Sequence, residues 1–126
     1  MFAISFDMSI SDLEKHYGKP YNRAYFEIKE VLKKNSFDWI QGSTYLTQSE
    51  DLGNLFRAIE ALKKIEWFRK SVRDIRGYKV ENWSNFTDIV KEGILLYDSG
   101  KYQLAKPRKL SFREIRDIAQ NEFSEL

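Results

Sequence analysis

Asp7 is the residue whose placement most directly suggests chemistry. It ends segment 2–7, in which the bulky residues Phe2, Ile4 and Phe6 alternate with smaller ones, the period-two pattern of a β-strand. The carboxylate should therefore emerge opposite the core-facing side chains. There it could hold a divalent cation such as Mg²⁺ that activates water, or act as a general base. The alternative is an Asp that only caps a loop or pairs with a surface lysine.

A second charged group lies at Arg73, Asp74 and Arg76, inside segment 72–81, which is rich in β-branched and aromatic residues. Its apolar positions break strict alternation, so we expect a bulge near Asp74, where a side chain can be turned toward a site. The two guanidinium groups suit phosphate and can stabilise charge at a pentavalent phosphorus. Surface ion pairs with acidic neighbours explain these residues equally well.

Two further polar residues could assist such chemistry. Ser43 follows Gly42 in a predicted tight turn, where a hydroxyl and free backbone amides can contact a phosphate, although turn chemistry alone also selects serine. His16 could act as a general acid. However, it lies in a predicted polar loop without an evident partner, and a solvated loop histidine is the favoured interpretation.

A basic stretch with interleaved aromatic residues runs from 57 to 79. It holds 8 basic residues against 3 acidic ones, with Trp67, Phe68 and Tyr78 among them. Such a combination can neutralise phosphates while bases stack, which is typical of single-strand binding surfaces. We predict RNA contacts here for Arg69, Lys70 and Lys79. Charges on a helix face and aromatic residues buried in the core are the alternative.

Composition removes several other classes of protein. The 126 residues contain no Cys and one His, which excludes disulfides, thiolate zinc sites and cysteine nucleophiles. No apolar run approaches the roughly 20 residues of a membrane span, and the first residues lack a basic leader, so a cytoplasmic protein without membrane contact is expected. The net charge of +2 favours no class of partner.

The predicted elements that position these residues follow the order strand, helix, strand, strand, helix, strand along the chain. A capping box at Thr47 and Glu50 should begin the second helix. Two such split units predict an α+β, ferredoxin-like βαββαβ sandwich, with a four-stranded antiparallel sheet and both helices on one face. The predicted segments are strand 2–7, helix 21–32, hairpin strands 37–41 and 44–47, helix 52–62, an irregular segment 66–71 and strand 72–81.

The other sheet face needs a cover, and the small residues Ala3 and Ser5 suit a second sheet, so a homodimer through that face is expected. The rest of the chain predicts a helical extension. Its predicted parts are a helix over 83–93 that ends at Gly93, an edge strand at 94–97, a basic loop at 99–108, and a last helix that starts at a capping box of Ser111 and Glu114.

Five segments together resemble one known family, the VapD proteins, which are small bacterial endoribonucleases. The segments are FAISFD (2–7), PYNRAY (20–25), FDWIQGSTY (37–45), LFRAIEAL (55–62) and SVRDIRGYKVENWSNFTD (71–88). The family resembles, in fold, the small ferredoxin-like nucleases of CRISPR adaptation. The resemblance covers about the first 91 residues, and it divides the chain into a ribonuclease domain, 1–91, and a C-terminal extension, 92–126.

What the resemblance implies is a homodimeric ribonuclease that cuts single-stranded RNA, often as the toxin of a toxin–antitoxin pair with an antitoxin protein as partner. The family's acidic residue at the end of the first strand corresponds to Asp7. Cleavage could proceed through metal-bound hydroxide or through the adjacent 2′-hydroxyl. The alternatives are a non-catalytic homodimer that binds nucleic acid or protein, and an extension that docks on the other protomer or blocks the groove.

Overall fold

The computed structural model describes residues 1–93 and 108–124. Six strands and six helices lie within these ranges. The strands are β1 (Phe2–Met8), β2 (Asp38–Gln41), β3 (Thr44–Thr47), β4 (Val72–Lys79), β5 (Ser84–Asn85) and β6 (Arg108–Lys109). The helices are α1 (Ile10–His16), α2 (Asn22–Lys34), α3 (Leu52–Lys63), α4 (Glu66–Ser71), α5 (Thr87–Glu92) and α6 (Phe112–Ser124).

The main sheet confirms the predicted ferredoxin-like arrangement. Its four strands lie in the order β2-β3-β1-β4, and every neighbouring pair is antiparallel. β1 is therefore a central strand, while β2 and β4 form the two edges. This order places the end of β1 beside β4, so residues separated by nearly 70 positions in sequence become cross-strand neighbours.

One face of the sheet packs against the helices through the bulky side chains that the alternation predicts. Ile4 on β1, Ile28 on α2 and Leu62 on α3 are almost completely buried in one apolar cluster. Gly77 on β4 allows close packing here, because a Cβ at this position would lie only 3.1 Å from the Leu55 side chain of α3. The sheet and the helices thus enclose one continuous apolar core.

The opposite, outer face is covered over part of its area by the chain's own C-terminal helix. Ala3 is fully buried there and Leu46 likewise, against Leu110 and Ile115. The predicted capping box begins this helix, since the Glu114 backbone N–H donates to Ser111 Oγ at 3.2 Å. We call the residues packed in this cluster with Leu110 and Ile115 the covered half of the outer face: Ala3, Ile40 and Leu46 on the sheet, and Val80 directly after β4.

Two short helices replace segments that the sequence predicts as irregular. α1 occupies the predicted polar loop, so the expectation that His16 lies in a loop is wrong; Ser9 caps the helix and Leu13 is fully buried. α4 occupies segment 66–71 and buries Phe68. Both helices are too short for apolar periodicity to be visible, and each is stabilised by one buried apolar side chain, Leu13 in α1 and Phe68 in α4.

Three smaller expectations also change. The predicted capping box at Thr47 is wrong: Thr47 is buried in β3, and Asp51 caps α3 by accepting the Gly53 N–H at 2.9 Å. α5 begins at Thr87, later than predicted, because Ser84 and Asn85 form β5. The predicted strand at 94–97 lies outside the described residues, as does the predicted loop at 99–108 except for its last residue. Among the helices described, none is long and apolar enough to span a membrane.

Candidate active site

Asp7 and Asp74 face each other across the β1–β4 ladder. The register pairs Asp7 directly with Asp74 and Ser5 with Arg76. Strand alternation places all four on the outer face, beyond the part that α6 covers. Directly opposed residues of an antiparallel pair have Cβ atoms about 4.5–5.5 Å apart. The Asp7 and Asp74 side chains are 65% and 53% exposed, so the fold brings two accessible carboxylates together at one point.

A β-bulge at Arg73 creates the charge balance of this site. Asp7 pairs with Asp74 but Met8 pairs with Val72, so Arg73 is the extra residue, which confirms the predicted bulge. The guanidinium of Arg73 lies 3.7 Å from Asp7 Oδ2. Each carboxylate has such a partner, since Arg76 Nε donates to Asp74 Oδ2 at 3.1 Å.

These ion pairs offset the repulsion between the two carboxylates, but they do not hold the four side chains in a fixed position. All four side chains are more than half exposed, and exposed ion pairs contribute only about 0–1 kcal/mol to stability. An incoming phosphate can therefore take over the guanidinium groups at little cost. The arrangement offers two carboxylates for acid–base or metal chemistry and two cations for a phosphate.

Ser43 lies at the same end of the sheet. Its backbone carbonyl accepts the N–H of Phe6 at 3.1 Å, which fixes the turn beside the residue that precedes Asp7. The turn is held in shape by Trp39, whose indole N–H donates to the Gly42 carbonyl at 2.8 Å, and Gly42 has a φ of +48° that favours glycine. The backbone of Ser43 thus lies beside Phe6, one residue before Asp7, and its role in phosphate binding stays a prediction.

The three residues predicted to bind RNA lie apart from this site. Arg69 and Lys70 belong to α4 in the helical layer, where Lys70 Nζ contacts Glu66 at 2.7 Å. Lys79 pairs with Phe2 at the other end of β4, and it lies five positions along the strand from Asp74, a distance of about 17 Å. Their role in RNA binding stays a prediction, now for a surface distinct from the carboxylate pair.

The aromatic residues of the basic stretch divide into two groups. Phe68 is 3% exposed and packs edge-on against Phe6 at 5.5 Å between ring centroids, while Trp67 packs against Tyr17 at 4.8 Å. Both belong to the helical side, as the core interpretation requires. Tyr78 instead lies on the outer face and is 42% exposed. The two-residue spacing from Asp74 through Arg76 to Tyr78 is the sequence signal that separates Tyr78 from the other two.

Two other titratable residues are Tyr25, which lies close to Asp7, and His16, which lies apart from the site. Burial chiefly raises the pKa of Tyr25 on α2, and the neighbouring Tyr21 and the negative charge of Asp7 add to this rise. His16 ends α1 and lies near Glu66, whose pKa is lowered mainly by its hydrogen bond with Lys70 and only slightly by the histidine. His16 therefore belongs to the helical layer.

The carboxylate oxygens of the site could hold a magnesium ion whose remaining ligands are water and substrate phosphate. In residues 1–93 and the described part of the extension, no group of three or more His, Cys, Asp or Glu side chains could enclose a metal. Mg²⁺, however, is usually held by one or two carboxylates together with water and substrate phosphates. Asp7 and Asp74 supply this smaller set.

Comparison with known proteins gives a consistent set of relatives. No family model matches the chain. It is 57% identical over 91 residues to the protein named Endoribonuclease VapD of Dichelobacter nodosus, an alignment that covers 72% of this chain and 98% of that one. It is 58% identical over 84 residues to Endoribonuclease VapD 1 of Riemerella anatipestifer, covering 67% and 94% of the two chains. For Endoribonuclease VapD of Helicobacter pylori the identity is 50% over 93 residues, covering 72% and 99%.

Proposed function

Because this chain belongs to the VapD endoribonuclease family, we propose that it is an endoribonuclease that cleaves single-stranded RNA at the Asp7–Asp74 pair. The observation that carries the assignment is the direct opposition of two exposed carboxylates, each with a guanidinium beside it. Phosphodiester cleavage needs a group that activates a nucleophile and cations that stabilise the charge on phosphorus. This pair of strands supplies both within one patch of sheet.

Asp7 is the residue that activates the nucleophile in this proposal. It can take a proton from the attacking water or 2′-hydroxyl, and Arg73 or Arg76 can bind the phosphate that is attacked. Ser43, at the neighbouring turn, can position that phosphate through its hydroxyl. When bound at Asp7 and Asp74, Mg²⁺ would lower the pKa of a coordinated water and offset phosphate charge. The products distinguish the two nucleophiles, because water leaves a 5′-phosphate and the 2′-hydroxyl leaves a cyclic phosphate.

The test is cleavage of a labelled single-stranded RNA by purified wild type and Asp7→Asn. The variant should fold like wild type and lose roughly 10²- to 10⁴-fold in kcat/KM, as is typical when an acid–base group is removed. Glu60→Gln is the matched control, because it also neutralises an exposed, ion-paired carboxylate but lies on α3. It should retain full activity.

End analysis with and without chelator then separates the metal-dependent route from the 2′-hydroxyl route. Full cleavage by Asp7→Asn would overturn the proposed role of Asp7. Salt-sensitive binding of RNA by wild type without any turnover would favour instead a module that only binds nucleic acid.

We further propose that the protein acts as a homodimer and as the toxin of a toxin–antitoxin pair that an antitoxin protein inhibits. The resemblance supports both statements. A second copy that packs near Ser5 would place two Asp7 carboxylates across one groove, whereas α6 already occupies the surface at Ala3. Light scattering on the purified protein measures the oligomeric state. Growth arrest on expression of wild type, and its absence with Asp7→Asn, tests the toxin role.

A further inference from the structure

Tyr78 is a large aromatic residue placed on the outer face next to the carboxylate pair. On β4 it follows Asp74 and Arg76 at two-residue intervals, so all three side chains share that face. Its cross-strand partner is Ala3, which α6 covers, yet Tyr78 itself remains 42% exposed. Tyr78 therefore lies at the border between the covered half and what we call the open half: Ser5, Asp7, Asp74, Arg76 and Tyr78.

The ring of Tyr78 is held in one position by its hydroxyl. Tyr78 Oη lies 2.8 Å from Ser5 Oγ, and Ser5 Oγ lies 3.2 Å from Thr44 Oγ1 on the next strand. Ser5 is paired with Arg76 and not with Tyr78, so the ring reaches diagonally from β4 over β1. An exposed ring that is fixed in this way has little conformational entropy to lose when a ligand stacks on it.

We infer that Tyr78 forms a stacking subsite for one nucleobase of single-stranded RNA, next to the phosphate bound at the carboxylate pair. This inference rests on the proposed function. Aromatic side chains beside a cationic groove bind the bases of single strands by stacking. Arg76 supplies the cation about 7 Å along the strand, so a base on Tyr78 has its backbone within reach of that guanidinium.

The other aromatic residues of the basic stretch do not offer such a site. Phe68 is buried and Trp67 packs against Tyr17 on the helical side of the sheet. Within the described residues, Tyr78 is the aromatic side chain of this stretch that shares a face with Asp7. The subsite accepts any base, because every base has a face that can stack, and it selects unpaired bases, because a paired base in a duplex is already stacked on its neighbours.

The experiment measures binding to a short single-stranded RNA that carries 2-aminopurine at one position, whose fluorescence falls when it stacks on an aromatic ring. The position is moved along the oligonucleotide in wild type and in Asp7→Asn, which serves to limit cleavage. One position should be quenched. Tyr78→Leu should abolish that quenching and weaken binding about 10-fold. Tyr78→Phe keeps the ring and should keep the quenching.

A matched control and an abasic RNA separate stacking from a general loss of structure. Phe56→Leu removes another exposed ring, 61% exposed on α3, and should leave binding and quenching unchanged. RNA without a base at the quenched position should bind wild type about as weakly as intact RNA binds Tyr78→Leu, and the two losses should not add.

Equal quenching and affinity in wild type and Tyr78→Leu would overturn the subsite while leaving the proposed cleavage intact. Absence of a quenched position in wild type would overturn the subsite as well. Cleavage of unmodified RNA by wild type and Asp7→Asn then tests the proposed function separately, because loss of Asp7 removes the chemical step whereas loss of Tyr78 only weakens RNA binding.

Discussion

The covered half and the open half of the outer sheet face share strand β1 but differ in burial and in charge. In the covered half, Ala3 and Leu46 are completely buried under Leu110 and Ile115 of the C-terminal segment. In the open half, Asp7 and Asp74 are more than half exposed and carry partners that a ligand can displace. On β1, which contributes to both halves, only four positions separate the buried Ala3 from the exposed Asp7. The difference teaches that one half contributes stability and the other is free to contribute chemistry.

The largest expected effect concerns the covered half. Ile115→Ala removes a side chain that is 2% exposed, and the cavity should lower the free energy of unfolding by about 2–5 kcal/mol. RNA cleavage per folded molecule should not change. Chemical denaturation measures the first quantity and initial rates below the transition measure the second. Val90→Ala is the control, because Val90 is 75% exposed and its loss should change stability by less than about 0.5 kcal/mol.

If Ile115→Ala lowered cleavage at full folding, the separation between the two halves would be broken. The C-terminal helix would then take part in the chemistry, and truncation after Gly93 should lower activity in the same way.

The next effect concerns the open half. Arg73→Lys keeps the positive charge beside Asp7 but loses the planar fork that binds a phosphate through two hydrogen bonds. We expect kcat/KM for RNA cleavage to fall about 10- to 100-fold, the range for hydrogen bonds that involve charged groups, with the unfolding free energy unchanged. Arg57→Lys is the matched control, since Arg57 is equally exposed and ion-paired on α3. Equal rates for both variants would remove Arg73 from the site.

The smallest effect concerns Ser5, the residue of the open half that holds Tyr78 at its border. Ser5→Ala removes the hydroxyl that joins Tyr78 to Thr44. Exposed hydrogen bonds of this kind contribute about 0.5–1.5 kcal/mol, so the unfolding free energy should fall by no more than this amount. Cleavage should decrease a few-fold, because the ring of Tyr78 is no longer fixed. Thr87→Ala on α5 provides a comparison for loss of a hydroxyl away from the site. A stability loss like that of Ile115→Ala would place Ser5 in the covered half.

Local patterns were sufficient to predict most elements of the fold and part of the site. Alternation of large and small residues indicated that Asp7 points away from the core, and the broken alternation after Val72 indicated the bulge. The pairing of Asp7 with Asp74 could not be predicted, because a shift of one residue at the bulge would bring Arg73 opposite Asp7 instead. Only the strand register of the folded protein determines whether Asp74 or Arg73 lies opposite Asp7.

The interpretation of Ala3 shows why long-range packing escapes the sequence. Its small side chain correctly indicated a close approach by another element, and a second copy of the chain was the expected partner. The element found there is α6, more than 100 residues later in the chain. The sequence predicted a last helix but carried no information on where it docks. Ser111 and Glu114, by contrast, act within one turn, and their capping box was predicted correctly.

The position of β4 at the edge of the sheet has a consequence for solubility. An edge strand presents unpaired backbone groups to which another chain can add, and bulges and charged side chains are the usual protection against such aggregation. The bulge at Arg73 and the charges of Arg76 and Lys79 lie along this edge. The residues of β4 that we propose bind a phosphate also protect this edge against pairing with other chains. Variants that flatten or neutralise it should therefore be assayed for self-association as well as for activity.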